Sequence, residues 1–296
     1  MLFLDLTING LLTGTFYVLI AIGLTLVFGV LKVVNFAHGE FYMAGAYAYV
    51  LLALRAGWSP WAALGGACAA GAVLAMVTER LLMRPLYATY TTWKVPKDEY
   101  AVLVTFGLSL FLMNLATQVI GPQSYRGPSL VQIPRVDLGV ALISGQRLAA
   151  LGVAALVLAG TVAFIRWTPW GREIQAVAQN RFGASLAGID TGRASLVVFA
   201  LGGGLAGLAG ALLAPLYQAY PQVGALPAAK AFVIVVLGGM GSVVGSIVGG
   251  LLLGVLEAWG AAYVSYAYQH VFGFLLLILV LLLRPWGLFG ERAREV

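Results

Sequence analysis

Apolar residues in this chain fall in long unbroken runs. They show neither the alternation of a half-buried strand nor the single stripe of a surface helix. No Asp, Glu, Lys or Arg stands between Asp5 and Lys32, Arg55 and Glu79, Glu99 and Arg126, Arg147 and Arg166, Lys230 and Glu257, or Glu257 and Arg284. Each gap has room for the roughly 20 apolar residues that carry a helix across a hydrocarbon core. Pro60, Pro85, Pro96, Pro122, Pro128, Pro134, Pro169 and Pro285 stand at the ends of these runs or between them, where a residue without an N–H stops a helix. The pattern predicts spans at 8–30, 34–54, 60–80, 100–120, 147–166, 194–213, 229–241, 243–262 and 267–284, the seventh of them short. Between Arg193 and Lys230 the run exceeds one helix. Pro215, Pro221 and Pro227 break its second half, which reads as one span followed by an irregular, re-entrant stretch. The expected fold class is all-α: a polytopic membrane protein of eight or nine helices forming a single transmembrane unit over residues 1–296.

Composition fixes the solvent. Hydrophobic residues make up 61% of the chain and charged ones 9%, against about 25% charged in a soluble domain. So few charges cannot cover a surface in water, and lipid is the alternative. The net charge of +6 then reports orientation rather than a nucleic-acid partner. Threading the spans from an outside N-terminus collects Lys32, Arg80, Arg84, Lys94, Lys97, Arg166, Arg172, Arg181, Arg193, Arg284, Arg292 and Arg294 on one side. Only Arg55, Arg126, Arg135, Arg147 and Lys230 fall on the other. The richer side is expected to be cytoplasmic, with the C-terminus inside and the N-terminus outside. Cys68 is the single cysteine, so no internal disulfide can form. A cleavable signal is not expected, because the first apolar run is long and no basic segment precedes it.

The longest polar, basic segment on the predicted inner side runs from Trp167 to Arg193. Pro169 and Gly171 are expected to break the preceding helix. Arg172 to Gln179 then has helix-forming composition, with apolar Ile174, Val177 and Ala178. A second short apolar piece, Ala184 to Ala187, ends at Gly188, which can take the left-handed conformation that terminates a helix. Two short helices joined by a turn suit a rigid contact to a soluble partner, the alternative being an amphipathic loop resting on lipid headgroups. The chain has no GxxxxGK[ST] phosphate loop. ATP hydrolysis of that kind would have to come from another polypeptide, and no cofactor is expected on this one.

Asn35, His38 and Glu40 open the second predicted span, where ionisable groups are costly and usually face a bundle interior or a wet cavity. His38 and Glu40 are two residues apart and cannot share a helical face. With His270 as the only other histidine, a metal site is not expected. The three are read either as capping and packing contacts or as lining and gating residues. Gly241, Gly245 and Gly249 form a stripe of small residues that lets helices approach closely, either as a moving interface or as static packing. Glu257, followed by Trp259, Tyr263, Tyr266 and Tyr268, is read as lying near an outer interface and receives no transport role. A gradient-driven carrier would call for paired charges within several spans, and only Glu40 and its neighbours qualify. An intramembrane enzyme would call for a nucleophile and base, and none stand together.

Four segments resemble the permease subunits of bacterial branched-chain amino-acid ABC importers. They are NFAHGEFYMAGAY at 35–47, GREIQAVAQN and ASLAGID within 171–190, VIVVLGGMGSVVGSIVGGLLLGVLE at 233–257, and RPWGLFG at 284–290. The resemblance implies a non-catalytic subunit of the bacterial inner membrane. Its partners would be a second, identical or related permease, two ATPase subunits that use ATP, and a periplasmic binding protein that delivers cargo. It also implies that 172–190 is the element coupling to the ATPase, with Arg172, Glu173, Ala176, Arg181, Gly188 and Asp190 as its residues. Glu173, Ala176 and Gly188 match the wider importer loop pattern, whereas Val177 replaces its second Ala. Relatives in this family carry urea, short amides or aromatic acids, and the binding protein largely chooses the substrate.

Overall fold

The computed structural model describes residues 2–85, 97–132, 135–137 and 142–290. Eleven helices account for most of them. α1 (Leu2–Leu31), α2 (His38–Leu54) and α3 (Pro60–Thr78), which continues through a wide turn at Glu79–Met83, come first. α4 (Lys97–Val119) and α5 (Gly145–Trp167) follow. They are separated by an antiparallel pair of short strands, β1 (Arg135–Asp137) and β2 (Leu142–Ser144), in which Arg135 faces Ser144. The short helices α6 (Pro169–Gln179) and α7 (Arg181–Leu186) lead into α8 (Thr191–Tyr217). α9 (Ala225–Gly238), α10 (Val243–Tyr263) and α11 (Gln269–Leu283) complete the described chain.

Each of the nine expected spans coincides with a helix. Among the described residues seven helices are long and apolar enough to cross a membrane: α1, α3, α4, α5, α8, α10 and α11, the last counted from Tyr266. α2 has 17 residues and α9 has 14. At about 1.5 Å per residue α9 is roughly 21 Å long, short of a hydrocarbon core of about 30 Å. Lys94 and the 291–296 segment, which carries Arg292, Arg294 and the C-terminus, lie outside the described residues, as do Pro96 and Pro134.

Burial grades the helices into an inner and an outer set. The best-spanning windows of α1 and α8 are 83% and 78% buried, whereas those of α4 and α11 are each 11% buried. α8 sits between α1, α2 and α3, and its glycines explain how three neighbours fit. Gly202 abuts Gly23 of α1, Gly203 abuts Gly71 of α3, and Gly207 abuts Gly45 of α2, each so closely that a Cβ would meet the opposing backbone. In lipid, apolar side chains gain little by meeting each other, and close backbone approach supplies the attraction instead. α1 and α10 pack the same way, through Gly10 and Gly14 against Gly254 and Gly250.

Two links shape the centre of the bundle. α1 ends at Lys32 and α8 at Gln218, both non-glycine residues in the left-handed region, with φ of 56° and 64°. The chain then turns back, so that the next helix starts beside an earlier one. His38 Nε2 lies 3.0 Å from the Ile20 carbonyl oxygen, which puts the start of α2 beside the middle of α1. Gly224, just before α9, is packed directly on Gly39 of α2. The 218–224 stretch is the irregular segment expected from Pro215, Pro221 and Pro227. Pro215 itself sits inside the last turn of α8, and Pro227 in the first turn of α9.

Candidate functional site

The segment between α5 and α8 is built from capped pieces. Thr168 caps α6, its Oγ1 accepting from the Gly171 N–H at 3.0 Å, and Pro169 occupies the first turn, where its missing N–H costs nothing. Gly171 therefore lies inside the new helix instead of ending the old one. A side chain there would strike the carbonyls of Phe164 and Ile165, so glycine lets α6 fold back on α5. Gln175 Nε2 donates to the Ile165 carbonyl at 2.6 Å, and Ile174 and Val177 are buried. Asn180 caps α7 through the Gly183 N–H at 2.8 Å.

α7 closes on Gly188. Its φ is +83°, the Gly188 N–H donates to Ser185 O at 3.1 Å, and the Ile189 N–H donates to Ala184 O at 3.0 Å. This pair of bonds is the glycine-dependent helix stop that the sequence suggested. Asp190 then caps α8, Oδ1 accepting from Gly192 N at 2.9 Å and Arg193 N at 3.0 Å, while Oδ2 pairs with Arg193 Nε at 3.1 Å. The Arg193 N–H above all, helped by the Gly192 N–H and the Arg193 guanidinium, holds the Asp190 carboxyl below its ordinary value. Arg172 points outward, Glu173, Ala176 and Arg181 are half-buried, and Phe182 and Leu186 stand 73% and 74% exposed. The result is a braced projection with an apolar tip.

Asn35, His38 and Glu40 are all buried and turn apart. Asn35 Oδ1 accepts from the Ala37 N–H at 3.0 Å and shapes the approach to α2. His38 reaches α1 at Ile20, with its ring edge-on to Phe41. Glu40 points the other way, to α4, where Oε1 accepts from Ser109 Oγ at 2.9 Å. The three do not form one site. Among the described residues no three of His, Cys, Asp and Glu come together as a metal would require. Of the glycine stripe, Gly245 and Gly249 of α10 face α9 at Gly238 and Leu237. Gly241 lies in the turn before α10, with φ of +92°, and packs on Gly29 instead.

The structure also assembles a cluster that the sequence reading missed. Lys230 of α9 and Glu257 of α10, 6% and 5% exposed, form an ion pair at 2.5 Å. Tyr17 of α1 donates to Glu257 Oε2 at 2.8 Å and accepts from Lys230 Nζ. His270 Nδ1 stands 3.8 Å from the other carboxylate oxygen. Glu257, expected at an interface, is interior because α1, α9 and α11 close over that side of α10. The signal lay in the charge map: Lys230 and Glu257 bracket one apolar run, and charges left inside a membrane bundle pair with one another. Beside them is a cavity of about 220 Å³, lined by Tyr17, Lys230 and His270 together with residues of α1, α2, α8 and the 218–224 link.

Comparison with known proteins agrees with this architecture. Residues 6–281 match the family described as branched-chain amino acid transport system / permease component. The chain is 35% identical over 302 residues to the high-affinity branched-chain amino acid transport system permease protein LivH of Escherichia coli (strain K12), covering 98% of this chain and 96% of that one. It is equally 35% identical, with the same coverage, to the permease protein BraD of Pseudomonas aeruginosa. It is 27% identical to LivM of Escherichia coli (strain K12), over 92% of this chain and 67% of that one. With a family match along nearly its whole length and helices where that match lies, the chain belongs to the branched-chain amino acid transport permease family.

Proposed function

We propose that this chain is the non-catalytic permease subunit of an ATP-driven importer of branched-chain amino acids in a bacterial inner membrane. The observation that carries this reading is the 35% identity to LivH and BraD along 98% of the chain. LivH and LivM of one bacterium are both named as permeases of such a system, and the chain is similar to both. That supports a second permease subunit beside this one. Residues 1–296 then act as one transmembrane unit, with the N-terminus outside and the C-terminus in the cytoplasm. A periplasmic binding protein delivers the cargo.

Residues 172–190 are the docking element for a separate ATPase, one per permease chain. Braced α6 and α7 present Phe182 and Leu186 to that partner, and the cap of Asp190 on α8 lets a push continue into the most buried helices. Gly245 and Gly249 give α9 and α10 a contact without side chains, along which they can slide. Asn35, His38 and Glu40 set where α2 starts beside the pathway.

A gradient-driven carrier is the competing reading, and the buried Lys230–Glu257 pair is the feature that favours it. Purified chain in proteoliposomes separates the two. Leucine uptake should require added ATPase subunits, the companion permease, binding protein and ATP, and should persist when ion gradients are collapsed. Uptake by this chain alone, driven by a gradient, would refute the importer reading.

A further inference from the structure

We infer that the cavity beside Lys230 is the seat of an amino-acid zwitterion on its way through the protein. Lys230 would meet the carboxylate, a tyrosine wall the ammonium, and an apolar floor the aliphatic side chain. This deepens the import reading and rests on it.

Size comes first. At about 220 Å³ the cavity is smaller than the roughly 300–1,000 Å³ of sites for drug-sized ligands, which restricts it to a small solute. Its lining is mixed. Phe16 and Ile20 of α1, Leu213 of α8 and Val223 of the following link give an apolar surface. Tyr42, Tyr217 and Tyr220 add aromatic rings to the lining. Ring faces attract a cation, more strongly when water is excluded.

Lys230 supplies the anchor. An ammonium group has three N–H donors, and two of them go to Tyr17 Oη and Glu257 Oε2. The third belongs to a side chain that lines the cavity. Glu257 does not line the cavity but stands behind Lys230 and holds it. The Lys230–Glu257 pair is neutral overall, so a bare anion or cation would bring an uncompensated charge into a low-dielectric bundle. A zwitterion brings none, yet still has a carboxylate for the free N–H.

A brace is the rival role for the pair, since it ties α1, α9 and α10 together. The test therefore removes the pair in balance. The importer, assembled with its ATPases, companion permease and binding protein, is reconstituted as wild type and as Lys230→Met with Glu257→Leu. Labelled leucine uptake and ATP hydrolysis are measured, and a diazirine analogue of leucine is photo-cross-linked during turnover. The expected result is an analogue attached to wild-type peptides that line the cavity, within 16–20 or 213–230. The double variant should hydrolyse ATP at the wild-type rate while leucine uptake falls at least tenfold and the cross-link disappears. A double variant that imports within twofold of wild type, or a cross-link confined to other regions, would overturn the assignment. If the double variant does not assemble, the wild-type cross-link alone decides. Wild-type vesicles that import no leucine would sink the import reading together with this one, whereas failure in the cross-link alone sinks only the seat.

Discussion

Gly188 does its work through backbone conformation alone. A Cβ placed there would meet nothing within 4 Å, so any substitution effect comes from φ of +83° and not from crowding. An L-residue with a Cβ costs about 1–2 kcal/mol in that conformation, and the two bonds that stop α7 weaken with it. Gly188→Val should raise the ATP hydrolysed per leucine imported several-fold, without lowering the amount of protein in the membrane. Gly188→Asn, a residue that tolerates the left-handed region, should stay near wild type, and the ratio of hydrolysis to uptake measures both. Asp190 gives a pH-dependent counterpart. Its carboxyl is held below the ordinary aspartate value of about 3.9. Its cap is therefore fully present above that value and is lost only as pH falls through the lower, folded one. Amide protection factors at Gly192 and Arg193 should be level from pH 8 to pH 5 and should drop only in stronger acid. A drop between pH 7 and pH 6 would contradict the cap.

At the scale of elements, α8 is held in part by contacts that have no side chain on either side. Gly45 and Gly207 are so close that a Cβ on one would enter the backbone of the other. Gly152 on α5 has open space where its Cβ would stand. Overfilling a packed interior costs about 1–3 kcal/mol, so Gly45→Leu should lower the thermal unfolding temperature in detergent by several degrees. Gly152→Leu should leave it unchanged or raise it slightly, because glycine is a poor helix former by about 1 kcal/mol. Equal losses at the two sites would mean that helix packing is not what makes Gly45 matter. The same contrast explains the burial gradient. α4 and α11 present apolar side chains outward, as lipid-facing helices do, while α1 and α8 are enclosed.

For the molecule as a whole, the charge-free runs located every long helix, because the bilayer sets one length and punishes each charge inside it. The stop at Gly188 was legible for the same local reason, since a left-handed glycine stop depends on a few neighbouring residues, whereas the caps at Thr168 and Asp190 were not read and Gly171 was taken as a break. What the runs did not reveal depends on distance. Lys230 and Glu257 are 27 residues apart and Tyr17 is 213 residues from Lys230; the two charges bracket one run, but nothing local brings Tyr17 to them. Gly241 misled for the opposite reason, since its spacing to Gly245 fits a helix but its positive φ puts it in a turn. The start of α2 beside the middle of α1 was also hidden, because it follows from the turn at Lys32. That placement brings Gly39 and Gly224 together with only main chain between them. Drift at such a point has little to trade with: a lineage that gains a methyl group on either glycine meets the other's main chain, which cannot shorten in return. The compensating exchanges that let crowded interiors wander in sequence cannot reach a carbonyl.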